Sequence, residues 1–276
     1  MVRKKTGLKY YLKIITPWRL IFFIISITIV AWLYFYLARE GFHYEWQWNR
    51  VWRHFGQWTT NGFRAGPLLK GLLLTLGIAS IGLGFSVILG LGLALMRFSA
   101  SPFYRLLARI HIGIFRNTPL LLQLFFIYFL VAPLFGLGPF WSAVISLAAF
   151  EGAYLAEIFR AGILAVPGQQ WEAALSLGFN LSSTFFMVIL PQSVRNVMPA
   201  LTNQAVSLIK DTSLVSAIAV ADLTLQAQAI IAETFLAFEV WLLVAAIYLL
   251  ISLCISLPAI WFEHNAGKTP GMEDVQ

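Results

Sequence analysis

The chain is poor in charge, in acid and in cysteine. Only 11% of its 276 residues are charged, and 12 Asp and Glu stand against 19 Lys and Arg. So little charge excludes an ordinary solvated surface, and with 59% hydrophobic residues and recurrent uncharged runs it marks a polytopic membrane protein. Cys254 is the only cysteine, which excludes an intrachain disulfide and leaves it a packing role in the last apolar run. The histidines at 43, 54, 111 and 264 fall in expected loops without ligand spacing, so they support neither a metal centre nor a general base. No nucleophile, base and orienting group come together, which argues against a membrane enzyme. A phosphate-binding loop is also missing. At Gly267-Lys268-Thr269 the first required glycine is replaced by Phe262. Neither a soluble domain nor an internal repeat is visible.

The formal charge of +7 is distributed as a topology signal and not as a nucleic-acid surface. Arg3, Lys4, Lys5, Lys9, Lys13 and Arg19 precede the first apolar run, and Arg97, Arg105, Arg109 and Arg116 form a second basic stretch. The run Leu20 to Ala38 exceeds the apolar core of about 7–15 residues that a secretory signal carries. Trp32, Tyr34 and Tyr36 also stand where a cleavage site needs small residues, so a retained span with its N-terminus inside is expected. Between 39 and 65, Trp46, Trp48, Trp52 and Trp58 lie among charges, as in a helix on the outer surface. That pattern suits either interfacial anchoring in membrane lipid or docking of a partner.

Gly71 to Met96 is expected to cross inward, with Gly77, Gly82, Gly84, Gly90 and Gly92 permitting close helix packing. From Pro119 to Phe150 there is no charge. A helix over that stretch would reach about 48 Å, too long for one crossing of a core about 30 Å thick. The chain must therefore fold back, and Pro133, Gly136, Gly138 and Pro139 mark the turn between spans at Asn117–Leu134 and Phe140–Ile163. Two more spans follow, near Asn196–Ala221 and Val240–Phe262. The expected organisation is a basic N-terminus and first span at 1–38, an outer aromatic segment at 39–65, a core at 66–265 and a tail at 266–276. Both termini and a loop at 164–194 then lie inside.

That loop carries Glu172-Ala173-Ala174-Leu175-Ser176-Leu177-Gly178 and, after nine residues, Val188-Ile189-Leu190-Pro191. Glu172, Ala173 and Ala174 favour helix and are partly small, Gly178 permits a left-handed stop, and Pro191 suits the start of the next helix. The pattern resembles the cytoplasmic loop of permease subunits in bacterial ATP-binding-cassette (ABC) importers, with Val188 in place of Ile. Other segments are similar to the polar-amino-acid branch of that family, the histidine, glutamine, arginine and glutamate permeases. These are Phe115-Arg116-Asn117-Thr118-Pro119-Leu120-Leu121, Ala153 through Arg160, and Leu208-Ile209-Lys210-Asp211-Thr212-Ser213-Leu214. Pro167-Gly168-Gln169-Gln170 departs from the usual Pro-Lys-Gly-Gln.

The resemblance implies an all-α polytopic membrane protein with a five-span type I permease core plus one extra N-terminal helix, in the bacterial inner membrane. It implies import of a polar amino acid from an extracytoplasmic binding protein, with a second permease subunit, the same chain or a homologue. A cassette ATPase dimer would hold ATP and Mg and be coupled through Glu172, Ala173, Ala174, Gly178 and Pro191, with no cofactor on this chain.

Charged groups within spans are costly and need a reason. Glu151 falls near the middle of its span, either receiving an ammonium or cationic side chain or holding a subunit interface as a hydrogen-bonded carboxyl. Glu157 and Arg160, three residues apart, are expected to pair as structural groups, and Arg116 and Pro119 are structural candidates beside them. Lys210 and Asp211 point about 100° apart on a helix, so local unwinding or separate partners must accommodate them. With Thr212 and Ser213 they form a candidate substrate path or, alternatively, a packing network. Gln123 and Asn203 are further pocket candidates. A self-contained ion-coupled carrier or channel is the competing function, in which Glu151, Lys210 and Asp211 would line an ion path.

Overall fold

The computed structural model describes residues 44–60 and 62–266, with side chains to 258, and isolated positions between 25 and 36. The chain forms two units, Met1–Trp46 and Gln47–Gln276. In the first, Trp32 stacks on Tyr36 with ring centroids 5.4 Å apart. The expected first span and the tail at 267–276 otherwise lie outside the described residues.

The second unit opens with helix α1 (Trp48–Val51), a 3-10 turn (Trp52–His54) and an antiparallel hairpin, β1 (Gly56–Thr59) and β2 (Gly62–Ala65). The hairpin corrects the expectation of an all-α chain with a surface helix here. Thr59 Oγ1 donates to the Gly62 carbonyl at 2.8 Å, and Gly62 takes φ +108, a turn for which a side chain is unfavourable.

Gly66 then leads into α2 (Pro67–Phe98), with proline at its first position where no N–H is needed. Ser101 and Pro102 start α3 (Pro102–Asn117) in the same way. Its arginines at 105, 109 and 116 share one face, bordered by the buried Ala108 and Ile112, so the expected basic loop is a helix. Accordingly His111 lies on a helix, its ring stacked on Phe115 at 4.4 Å, and His264 also falls within a helix, not in a loop.

A 112° bend at Thr118-Pro119 separates α3 from the rod 120–135, which comprises α4 (Leu120–Phe126), a π segment (Ile127–Val131) and a 3-10 turn (Ala132–Phe135). Gly136 turns the chain at φ +65, and Pro139 opens α5 (Pro139–Leu164), close to the expected reversal. After the loop come α8 (Leu190–Asp211), a 3-10 stretch (Thr212–Ile218), α9 (Leu223–Thr234) and α10 (Ala237–Ala266). Helix α9 was not anticipated. The buried Asp222 caps it, its carboxylate accepting the Leu225 N–H at 2.8 Å. Helices α2, α5 and α10 to Pro258 are each long and apolar enough to cross a membrane. Each bent pair, α3 with 120–135 and 181–218 with α9, counted as one span raises the total to five among the described residues.

Helices α2 and α5 form the densest contact. A Cβ at Gly90 would lie 2.8 Å from Leu155 Cβ and 3.1 Å from the Gly152 carbonyl, whereas Gly77, Gly84 and Gly92 meet nothing within 4 Å among the described residues. Only part of the expected glycine set therefore serves packing here. Gly90→Ala should destabilise the purified chain by about 1–3 kcal/mol through overpacking. Gly84→Ala should leave its melting temperature unchanged or raise it, because alanine favours helix by about 0.5–1 kcal/mol. Equal melting shifts for the two variants would contradict this packing.

At the Pro67 end of α2, Val51, Leu68, Leu223, Ile230, Leu236 and Val240 form a buried cluster. Glu239, fully buried in the first turn of α10, accepts the Gln47 N–H at 2.8 Å. The residues after 46 are thus fastened to the helical core and do not merely rest beside it.

Candidate functional site

Two places in this framework carry the residues singled out from sequence. The first is the loop between α5 and α8. Pro167 precedes α6 (Gly168–Ser176), and Asn180 caps α7 (Leu181–Thr184) by accepting the Ser183 N–H at 2.8 Å. Helix α6 ends in a reciprocal pair of bonds, Gly178 N–H to Leu175 O at 3.0 Å and Phe179 N–H to Ala174 O at 3.2 Å, with Gly178 at φ +86. That C-terminal motif requires a left-handed residue, which is the physical reason for glycine at 178.

Glu172 and Ala173 are exposed, but Ala174 is only 4% exposed and packs within its own chain, so the small-residue face is narrower than expected. Leu177 and Leu181, 79% and 68% exposed, flank the turn and extend the apolar part of the presented surface. Gln192 Nε2 donates to Val188 O at 2.8 Å and reaches Gln170 Oε1 at 3.4 Å, linking α6 to α8. A π segment (Phe185–Ile189) runs directly into α8, with Pro191 in its first turn.

The second place lies where α5 meets the end of α8. Glu151 is completely buried, and Gln204 Nε2 donates to its Oε2. Asp211 interacts with it electrostatically, and Lys210 interacts with Asp211 in turn. The fold therefore joins two groups of candidates that are 60 residues apart in sequence. Helix α8 gives way at Thr212 to 3-10 geometry, so the backbone changes pitch right after the Lys210–Asp211 pair. Such an interrupted helix beside a buried acid is the arrangement in which membrane carriers hold charged groups.

Several sequence candidates sit elsewhere. Thr212 is fully buried and its hydroxyl donates to Ile209 O at 2.5 Å, so it caps the helix and is not free for a substrate. Ser213 is half-buried and Asn203 is exposed. Asn203 lies about 100° around α8 from Gln204. Gln123 belongs to the α3–α4 corner: its Nε2 donates to Phe115 O at 2.9 Å, Thr118 O at 3.0 Å and Thr118 Oγ1 at 2.7 Å. Pro119 caps α4 in that corner, and Arg116 stands over the Tyr154 ring at 5.2 Å.

Glu157 does pair with Arg160, at 2.8 Å, and also with Arg97 of α2 at 2.9 Å. Sequence reasoning missed Gln204 and Arg97. Neither has a short-range signal, since each meets its carboxylate across helices 53 and 60 residues apart.

Residues 82–265 match the family model described as binding-protein-dependent transport system inner membrane component. The probable amino-acid ABC transporter permease protein PatM of Vibrio harveyi is 38% identical over 205 residues, covering 73% of this chain and 92% of PatM. The glutamine transport system permease protein GlnP of Escherichia coli (strain K12) is 39% identical over 192 residues, covering 68% of this chain and 88% of GlnP. In structure the chain is similar to a crystallised amino acid ABC transporter with histidines, at TM-score 0.68 and 39% identity, covering 72% of this chain and 94% of the other. The chain belongs to the family of binding-protein-dependent transport system inner membrane components, the permease subunits of ABC importers.

Proposed function

We propose that this permease subunit imports a polar amino acid handed to it by an extracytoplasmic binding protein, and that the substrate's positive group is received beside Glu151 and Asp211. The observation that carries this reading is the fully buried Glu151, held by Gln204 and interacting with a second acid, Asp211, where α8 passes into 3-10 geometry. A carboxylate within a span is costly unless a compensating group reaches it, and a transported ammonium or guanidinium is such a group. Lys210 beside Asp211 gives the same place a donor for a substrate carboxylate. Uptake by the importer reconstituted with its ATPase and binding protein, measured across cationic, neutral and acidic amino acids, tests the assignment. Preference for an acidic amino acid would overturn it.

In the same reading α6 and the Gly178 turn seat on a cassette ATPase dimer that holds ATP and Mg, and a second permease subunit, identical or homologous, completes the pathway. No Walker-type loop in the sequence competes with that division, and membership in this family supports it over a self-contained carrier. The subunit sits in the bacterial inner membrane with both termini cytoplasmic and the hairpin outside. In a Cys254→Ser background, Gln57→Cys should react with an impermeant thiol reagent in whole cells, whereas Ser101→Cys should react only after permeabilisation. The reverse labelling pattern would invert the topology and take the α6 loop out of the cytoplasm.

A further inference from the structure

Between 44 and 70 the chain carries Arg50, Arg53, Arg64 and Lys70 against one acid, Glu45. Arg50, Arg53 and Arg64 are exposed, Arg50 also donating to Gln47 Oε1 at 2.7 Å. The hairpin register sets Trp58 opposite Phe63 and Gln57 opposite Arg64. Alternate strand residues point to opposite faces, so one face is aromatic and the other polar and basic. Trp58 and Phe63 meet edge to face at 5.5 Å and remain 83% and 48% exposed. Trp52, in the preceding turn, is 56% exposed.

A lone two-stranded hairpin is marginal in water, and this one is fastened at its base. Gly66 N–H donates to Phe55 O at 2.9 Å, and a Cβ on Gly66 would overlap the His54 carbonyl oxygen. Only Gly66 separates β2 from Pro67, the start of a helix long and apolar enough to span a bilayer. The hairpin is therefore held directly beyond the Pro67 end of that helix.

We infer that the hairpin is a lipid anchor: Trp52, Trp58 and Phe63 enter the interfacial layer at the Pro67 end of α2, and Arg50, Arg53 and Arg64 bind the phosphates of anionic phospholipids. Amphipathic rings concentrate at that depth, and the planar guanidinium matches a phosphate's oxygens. The excess of positive charge suits an anionic neighbour, and the continuity of β2 with an apolar helix long enough to span a bilayer makes lipid that neighbour.

The test uses the full chain, with Cys254→Ser, in vesicles of phosphatidylcholine with or without phosphatidylglycerol. A fluorophore on Trp58→Cys should be strongly quenched by headgroup-spin-labelled lipid, and one on Gln57→Cys weakly. Separately, changing Arg50, Arg53 and Arg64 to Gln should lower selectivity for spin-labelled phosphatidylglycerol over phosphatidylcholine by about fivefold or more, the contribution of one cation at an anionic leaflet. Quenching at 58 only by a water-soluble agent would overturn the anchor, most directly if binding protein then shields the site. Unchanged lipid selectivity in the triple variant would overturn the phosphate contacts.

Discussion

Gly178→Asp should reduce substrate-stimulated ATP hydrolysis by the assembled importer more than tenfold while the permease itself still folds. At φ +86 any side chain meets its own backbone unfavourably, at about 1–2 kcal/mol, although aspartate tolerates this region better than most residues. The space around Gly178 within the chain is open, with nothing inside 4 Å of where a Cβ would stand, so no internal clash unfolds the loop. What an added carboxylate meets is whatever approaches from outside. Gly178→Ala separates the two effects, since it retains the backbone penalty with little bulk and should lose only a fraction of the stimulation. Full stimulation in the aspartate variant would remove this turn from the ATPase interface.

Glu151→Gln should lower uptake of cationic amino acids tenfold or more, with a smaller loss for neutral polar ones and normal complex assembly. The amide keeps the shape and still accepts from Gln204 through its oxygen, while the charge facing Asp211 is lost. Glu151→Leu goes further and leaves Gln204 without its partner, a cost of about 1–3 kcal/mol that should appear as reduced stability whatever the cargo. Comparing the two variants therefore distinguishes recognition from structural support. Unchanged transport across the panel in an intact Glu151→Gln complex would leave Lys210, Asp211 and Ser213 as the substrate contacts.

The span from Pro139 to Leu164 and the reversal before it were readable because they depend on local signals, an uncharged run, a length limit and a Pro-Gly cluster. The loop after it was readable because its structure is local too: a short helix, a left-handed stop and a restart lie within one stretch of chain. The hairpin at 56–65 was hidden because its Trp and Arg content is the same signature that an interfacial helix gives. Helix α9 was hidden because its start is marked by Asp222, which reads as loop until its cap bond to Leu225 is seen. The meeting of Glu151, Gln204 and Asp211 was out of reach because it is set by the packing of α5 on α8, which no local pattern encodes. Gln123, a further pocket candidate from sequence, ties the end of α3 to the start of α4, a contact that no local pattern announces.

Thr212, Val215 and Ile218 are the buried members of the 3-10 stretch, at 0%, 1% and 2% exposure. Side chains three apart eclipse in 3-10 geometry, whereas on an α-helix the same positions would drift about 60° at each step. The buried line is thus straight and parallel to the axis, a rail and not a thread. Along that line Val215 and Ile218 face Leu120, Val144 and Leu147 of one buried cluster, and Thr212 closes the row at the helix end.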